Sequence, residues 1–61
     1  MEKLAEHTDG THTYMRMNIR GHVCEIDVYW RESGRTYRTS ESESPSYPSR
    51  QEIIDAFEML F

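Results

Sequence analysis

Apolar and polar residues alternate with a period of two from Thr13 to Trp30, and the alternation breaks once, at Gly21-His22. Successive side chains of a β-strand point to opposite faces, so this pattern predicts two strands that share one apolar face. A glycine at the first position of a two-residue loop supplies the positive φ that a type II′ turn needs. We therefore predict a β-hairpin whose loop is Gly21-His22.

That loop fixes which residues of the two strands face each other. On the polar face it places Arg16 opposite Asp27 and Tyr14 opposite Tyr29. On the apolar face it gives these pairs: Ile19 with Cys24, Met17 with Ile26, Met15 with Val28, and Thr13 with Trp30. Opposite charges and aromatic rings paired across strands each stabilise a sheet by roughly 0.2 to 1 kcal/mol, which favours this register.

A third strand is expected over residues 35–40, after a turn at Ser33-Gly34. A two-residue turn places Tyr37 opposite Trp30 on the apolar face and Arg38 on the polar face. A three-residue turn would bury Arg38, and the cost of removing a charge from water disfavours that alternative.

The last part of the chain is predicted to be an amphipathic helix over residues 50–61, preceded by a connector over 41–49 that contains two prolines. Ser49 followed by Glu52 three positions later is the pattern of a capping box. Five apolar residues recur at intervals of three and four and form one stripe: Ile53, Ile54, Phe57, Leu60 and Phe61.

Residues 1–12 fit two interpretations. The stretch Glu2 to His7 consists of good helix formers, which would give a short frayed helix or a disordered segment. The stretch Thr8-Asp9-Gly10-Thr11 is instead typical of a hairpin turn, which would add an edge strand that pairs Leu4 with Met15.

Together these elements predict one small domain over residues 1–61 of the α+β class. Residues 13–40 form a three-stranded antiparallel β-meander, with or without a fourth N-terminal edge strand, and the C-terminal helix packs on one face. A chain of this length buries only roughly 60% of its unfolded surface, so a second core is excluded.

The compartment is predicted from hydropathy and from the single cysteine. No apolar run reaches the roughly 18 residues of a membrane span, and the N-terminal residues alternate charge with small apolar side chains, unlike a signal peptide. Cys24 has no second cysteine with which to form a disulfide. We expect a cytoplasmic protein with no membrane association.

Residues with catalytic or metal-binding chemistry are few. His7, Asp9 and His12 form an H-x-D-x-x-H pattern, but zinc prefers a further ligand and Cys24 is predicted to face the core. A buried cysteine is also a poor nucleophile, and no glycine-rich phosphate loop is present. We expect no enzymatic activity, no metal and no cofactor.

The predicted polar face of the meander carries the most informative side chains. They are arginines and tyrosines: Tyr14, Arg16, Arg20, Tyr29, Arg31 and Arg38. Guanidinium groups bind phosphates and base edges, and aromatic rings stack on bases, so this face fits nucleic acid. The order of three strands and a helix resembles the plant-type and integrase-arm DNA-binding domains, which implies a sheet placed in the major groove.

The charge distribution favours a protein partner instead. The chain has a net charge of −4, and Glu25 and Asp27 lie among the arginines, whereas nucleic-acid binders are usually basic. In size and charge the chain is similar to phage-type inhibitors, antitoxin-like factors and accessory subunits, which dock on larger proteins, including proteins that process nucleic acid. Tyrosine and arginine are enriched at binding hot spots. Alternatively, three helix carboxylates would imitate phosphates: Glu52, Asp55 and Glu58.

Two further expectations follow from composition. The apolar C-terminal stripe exceeds what three short strands can cover, so we expect a homodimer formed through the helix or through an open sheet edge. The run SESES over residues 40–44 has serines beside acidic residues, which fits either phosphorylation or a solvated loop.

Overall fold

The computed structural model describes residues 1–61 as one antiparallel sheet with one helix packed on it. The sheet has four strands in chain order: β1 (Glu2–Asp9), β2 (His12–Ile19), β3 (His22–Arg31) and β4 (Gly34–Thr39). The helix, α1, spans Arg50–Leu60. The predicted α+β meander with a C-terminal helix is confirmed, and the N-terminal segment forms the fourth strand.

The hairpin of β2 and β3 turns one residue earlier than predicted. Its loop is Arg20-Gly21, because Ile19 pairs with His22. Both loop residues have positive φ, 53° for Arg20 and 84° for Gly21, as a type I′ turn requires. The Asn18 side chain accepts a hydrogen bond from the backbone N–H of Gly21 at 2.9 Å and supports this turn.

The change of loop shifts the register by two residues, so the predicted pairs are wrong. On the apolar side, Met17 lies opposite Cys24 and Met15 lies opposite Ile26. On the polar side, the predicted pairs Arg16 with Asp27 and Tyr14 with Tyr29 are replaced as follows: Arg16 pairs with Glu25, Tyr14 with Asp27, and His12 with Tyr29. Because a shift of two preserves the face of every side chain, the predicted division into two faces is unaffected.

The same displacement occurs between β3 and β4. Arg31 pairs with Gly34, so the turn is Glu32-Ser33 and Gly34 begins β4. Tyr37 therefore lies opposite Val28 and not opposite Trp30 as predicted. Tyr37 nonetheless lies on the apolar face of the sheet, as predicted, because its side chain packs against the core.

Strand β1 pairs with β2 along the open side of the sheet. A β-bulge interrupts the pairing between Lys3 and Ala5, so that Leu4 is the extra residue, and Glu6, not Leu4, lies opposite Met15. Nearly all of β1 is exposed to solvent, and Lys3 forms an ion pair with Glu6 at 2.7 Å. The strand is held by its pairing with β2 and not by the helix.

The core lies between the sheet and α1. It consists of ten buried residues: Met15, Met17, Ile19, Cys24, Ile26, Val28, Ile53, Ile54, Ala56 and Phe57. Trp30, Tyr37, Tyr47 and Leu60 pack around it and remain partly exposed. The predicted inward position of Cys24 is confirmed, whereas Phe61 retains 55% of its exposure.

The start of α1 has the predicted capping box. Ser49 Oγ accepts a hydrogen bond from the Glu52 backbone N–H at 3.2 Å, and Glu52 Oε1 accepts one from the Ser49 backbone N–H at 3.1 Å. Both bonds satisfy donors that the first turn of a helix leaves free. With eleven residues, α1 is too short to cross a membrane, and no other helix is present.

Candidate functional site

The face of the sheet opposite α1, called the outer face below, has no other layer packed on it. The register places four aromatic rings there in two adjacent rows: His7 and Tyr14 in one row, His12 and Tyr29 in the next. Sequence analysis considered His7 and His12 only as parts of an H-x-D-x-x-H metal pattern and did not assign them to this face. The available signal was the turn at residues 8–11, because a strand before this turn puts both histidines on the same face as Tyr14.

His12 and Tyr29 form a fixed pair on the outer face. Their rings stack with centroids 4.7 Å apart, and His12 Nε2 lies 2.6 Å from Asp27 Oδ1. The imidazole is held at Nε2 by the Asp27 carboxylate and across its plane by the Tyr29 ring. Both rings therefore already have a fixed orientation before a partner binds.

Tyr14 is fixed in the same manner. Its hydroxyl donates a hydrogen bond to Glu25 Oε2 at 2.6 Å. This bond to a carboxylate, together with desolvation of the phenol, raises the pKa of Tyr14 above its ordinary value of 10.0. The phenol therefore stays neutral at physiological pH and presents its ring beside the histidines.

The outer-face arginines have few partners of their own. Arg16 lies opposite Glu25, and Arg38 lies opposite Asp27, but neither guanidinium forms a salt bridge or a side-chain hydrogen bond. Arg31 donates only to the Thr36 hydroxyl, at 3.3 Å. The Glu25 and Asp27 carboxylates are thus engaged by a phenol and an imidazole, while the guanidinium groups of Arg16 and Arg38 are free.

Arg20 does not belong to this surface, contrary to the sequence prediction. It occupies the turn between β2 and β3, where its guanidinium binds the Glu52 carboxylate through Nη1 and the Ser46 carbonyl oxygen through Nη2. The left-handed backbone of the turn directs this side chain toward the start of α1. The remaining predicted residues do share the outer face: Tyr14, Arg16, Tyr29, Arg31 and Arg38.

The acidic residues of the helix are a weaker candidate. Glu52 is paired with Arg20, and Glu58 accepts a hydrogen bond from the Tyr37 hydroxyl at 3.2 Å and lies 3.6 Å from Arg35 Nη1. Asp55 accepts a hydrogen bond from Gln51 at 2.9 Å. Two of the three carboxylates are therefore already compensated by arginine and are less able to imitate phosphates.

The H-x-D-x-x-H pattern does not come together as a metal site. Asp9 lies opposite His12, whereas His7 lies opposite Tyr14, and the His12 imidazole is occupied by Asp27. No group of three or more histidine, cysteine or acidic side chains has the geometry to hold a metal ion.

The outer face therefore combines four adjacent rings, two hydrogen-bonded carboxylates and three arginines on one four-stranded sheet. No protein-family model, no curated protein and no solved structure matches this chain. Its function is accordingly inferred from the chemistry of this surface.

Proposed function

We propose that this protein is a small non-enzymatic binding module that docks on a larger protein through its outer face. The observation that carries the proposal is that the carboxylates of this face already have hydrogen-bond partners, whereas two of its arginines have none. Glu25 and Asp27 are engaged by Tyr14 and His12, which leaves Arg16 and Arg38 free on either side of β3.

Prior ordering of the rings favours binding. A side chain that is immobilised at an interface loses about 0.5 to 1.5 kcal/mol of conformational freedom, and Tyr14, His12 and Tyr29 are already held before a partner arrives. Tyrosine and arginine side chains are enriched among residues that dominate binding energy. A free arginine beside an ordered ring is thus a suitable anchor for an acidic or polar group of the partner.

The balance of charge favours a protein over a polyanion. Two carboxylates lie at the centre of the outer face, between the free arginines, and the whole chain carries a net charge of −4. Repeated phosphates would meet these carboxylates directly, whereas a protein can offer acceptors to Arg16 and Arg38 and donors between them. The single thiol, buried and without a disulfide, supports a cytoplasmic setting for this interaction.

Capture and affinity measurements test the proposal. The intact chain is used as bait in extract of its native cell, and the captured protein is purified and titrated by calorimetry. We expect the double variant Arg16→Ala with Arg38→Ala to bind at least tenfold more weakly, a loss of about 1.4 kcal/mol or more. The matched control is Lys3→Ala with Arg35→Ala, which removes the same charge from the other side of the sheet and should retain binding.

Nucleic acid is the second candidate, since adjacent rings flanked by free arginines also suit stacked bases. It is tested by gel mobility with mixed DNA and RNA oligonucleotides over a range of salt concentrations. A shift that weakens steeply with salt and disappears in the outer-face variant would establish this second function and overturn the first. Equal binding of the captured protein by both double variants would also contradict the proposed surface.

A further inference from the structure

Ser46 lies against the turn between β2 and β3, next to two basic side chains. Its hydroxyl oxygen is 3.1 Å from His22 Nε2, and its carbonyl oxygen accepts a hydrogen bond from Arg20 Nη2, also at 3.1 Å. The serine itself is exposed. A group attached to this hydroxyl, or bound beside it, would therefore be reached by both side chains from solvent.

The neighbourhood of Ser46 is held in place by packing. The Tyr47 ring contacts the His22 imidazole edge to face with centroids 5.5 Å apart, and Pro48 is buried. The Tyr47 hydroxyl is bound to Ser40 Oγ at 2.7 Å. These contacts fix the segment on the end of the sheet, so that Ser46 stays beside the turn.

The other serines of this segment have different surroundings. Ser40 bonds to Tyr47 and to the Glu25 backbone N–H, and Ser42 lies between two glutamates in the sequence and accepts a hydrogen bond from the Ser44 backbone N–H. Ser49 is the N-cap of α1. Of these serines, Ser46 is the one whose hydroxyl contacts a basic side chain. The Ser44 hydroxyl lies 3.2 Å from the Ser46 hydroxyl and completes its polar surroundings.

We propose that Arg20, His22 and Ser46 form a phosphate-recognition site, filled either by a phosphoryl group on Ser46 or by a free phosphate monoester. A phosphate offers three acceptor oxygens and a charge of about −1.5 to −2, and it forms its strongest hydrogen bonds with arginine and histidine donors. Arg20 has five N–H donors, of which one on Nη1 serves Glu52 and one on Nη2 serves the Ser46 carbonyl oxygen, so the others can bind a phosphate.

In the covalent form, the phosphoryl group comes from ATP through a kinase. The Ser46 Oγ–P bond forms as the bond between the γ-phosphorus and the bridging oxygen of ATP breaks. ADP leaves, and the serine proton passes to the kinase's general base. The product places its charge between Arg20 and His22 and clamps the segment to the turn.

The covalent form is tested with the intact chain carrying phosphoserine at position 46 or, as a matched control, at position 42. A ³¹P NMR titration should give the phosphate at position 46 a second pKa lower by about one pH unit, because the Arg20 cation and a hydrogen bond from His22 favour its dianion. Adding His22→Gln to the chain phosphorylated at 46 should remove part of this difference, with the fold checked by the backbone amide spectrum. Equal titration at positions 46 and 42 would overturn the covalent form.

The free ligand is tested by adding inorganic phosphate to the unmodified chain and following the side-chain NMR signals of Arg20 and His22. Saturable shifts that are absent in Arg20→Gln support a site for free phosphate. A low second pKa at position 46 without such shifts supports phosphoserine as the occupant. If neither the titration at position 46 nor the added phosphate has an effect, the proposed site is refuted.

Discussion

The hydroxyl of Thr13 joins three strands inside an otherwise apolar surface. Thr13 is fully buried on β2, and its Oγ accepts a hydrogen bond from Trp30 Nε1 of β3 at 2.9 Å. The same oxygen lies 3.0 Å from the Thr8 hydroxyl of β1. A buried polar group costs free energy unless it is bonded, so these two partners explain how the core tolerates a threonine at this position.

We expect Thr13→Val to destabilise the fold by about 1 to 3 kcal/mol, because the Trp30 indole N–H then loses its acceptor while the shape of the side chain is retained. The measurement is urea unfolding followed by circular dichroism. Thr36→Val is the control, since it makes the same substitution on the exposed outer face and should change stability little. A loss of the same size in both variants would show that the buried hydrogen bonds are not the cause.

Glu52 couples the end of the sheet to the start of α1. Its carboxylate accepts the Ser49 backbone N–H and binds Arg20, and these contacts lower the pKa of Glu52 from its ordinary value of 4.5. A carboxyl whose pKa is lower in the folded state stabilises that state above its unfolded pKa. This stabilisation is lost as the pH falls through the folded pKa, so the sensitive range lies below about pH 4.5.

The Glu52→Gln variant tests this coupling, because glutamine preserves the capping pattern and removes only the charge. At pH 7 we expect the variant to unfold at a lower urea concentration than the natural chain, and we expect the difference to vanish as both are taken toward pH 3. Asp55→Asn, which removes a charge bonded to neutral Gln51, should show a smaller effect at pH 7. A difference that persists unchanged at pH 3 would contradict an electrostatic origin.

The turn between β2 and β3 explains why the faces of the sheet could be predicted and the register could not. Alternation assigns each side chain to a face, and that assignment survives any displacement by two residues. The register depends on the loop, and a loop with arginine at positive φ is not suggested by residue preferences, since such a conformation is uncommon outside glycine, asparagine and aspartate. Arg20 adopts it with long-range contacts to Glu52 and Ser46, which the local sequence does not reveal.

Gly21 has a φ of 84°, and a Cβ added to it would meet no atom within 4 Å. Gly21→Ala should therefore act through backbone strain alone and destabilise the hairpin by about 1 kcal/mol. The measurement is thermal and urea unfolding. Ser33→Ala in the turn between β3 and β4 is the control, because Ser33 lacks a positive φ. An unchanged midpoint for Gly21→Ala would indicate that the turn adopts another conformation.

In the candidate site too, residues whose place follows from the local sequence could be predicted, and residues whose place depends on long-range contacts could not. Tyr14 and Arg16 could be placed on the outer face from alternation alone, and Arg38 from alternation together with the cost of burying its charge. Arg20 was misplaced because a turn residue does not follow the alternation of the strands. His12 was considered only as a metal ligand, because its place beside the other rings depends on β1 and on contacts across the sheet with Asp27 and Tyr29. Such partners become visible only when the strand pairing is known.

For the molecule as a whole, the two edges of the sheet differ in how well they are protected. Arg50 donates a hydrogen bond to the Tyr37 carbonyl oxygen at 3.2 Å, which covers part of β4. The other edge, β1, carries the bulge at Leu4 and the charge of Lys3, and both features discourage the addition of another strand. Self-association through a sheet edge, one of the two routes expected from the sequence, is therefore disfavoured.

The last turn of α1 is the better surface for the homodimer that we expect. Met59 keeps 76% of its exposure and lies outside the core cluster, and Phe61 keeps 55% while stacking on Phe57 with centroids 5.0 Å apart. Burial of these side chains in a second copy would remove apolar area from water.

Sedimentation velocity over a concentration series should show this dimer. We expect Met59→Glu to raise the dissociation constant of the dimer at least tenfold without unfolding the chain. Val23→Glu, which places the same charge on an exposed apolar residue of the outer face, should leave the dimer intact. Dissociation caused by Val23→Glu but not by Met59→Glu would instead assign self-association to the outer face, and that face would then compete with the proposed partner.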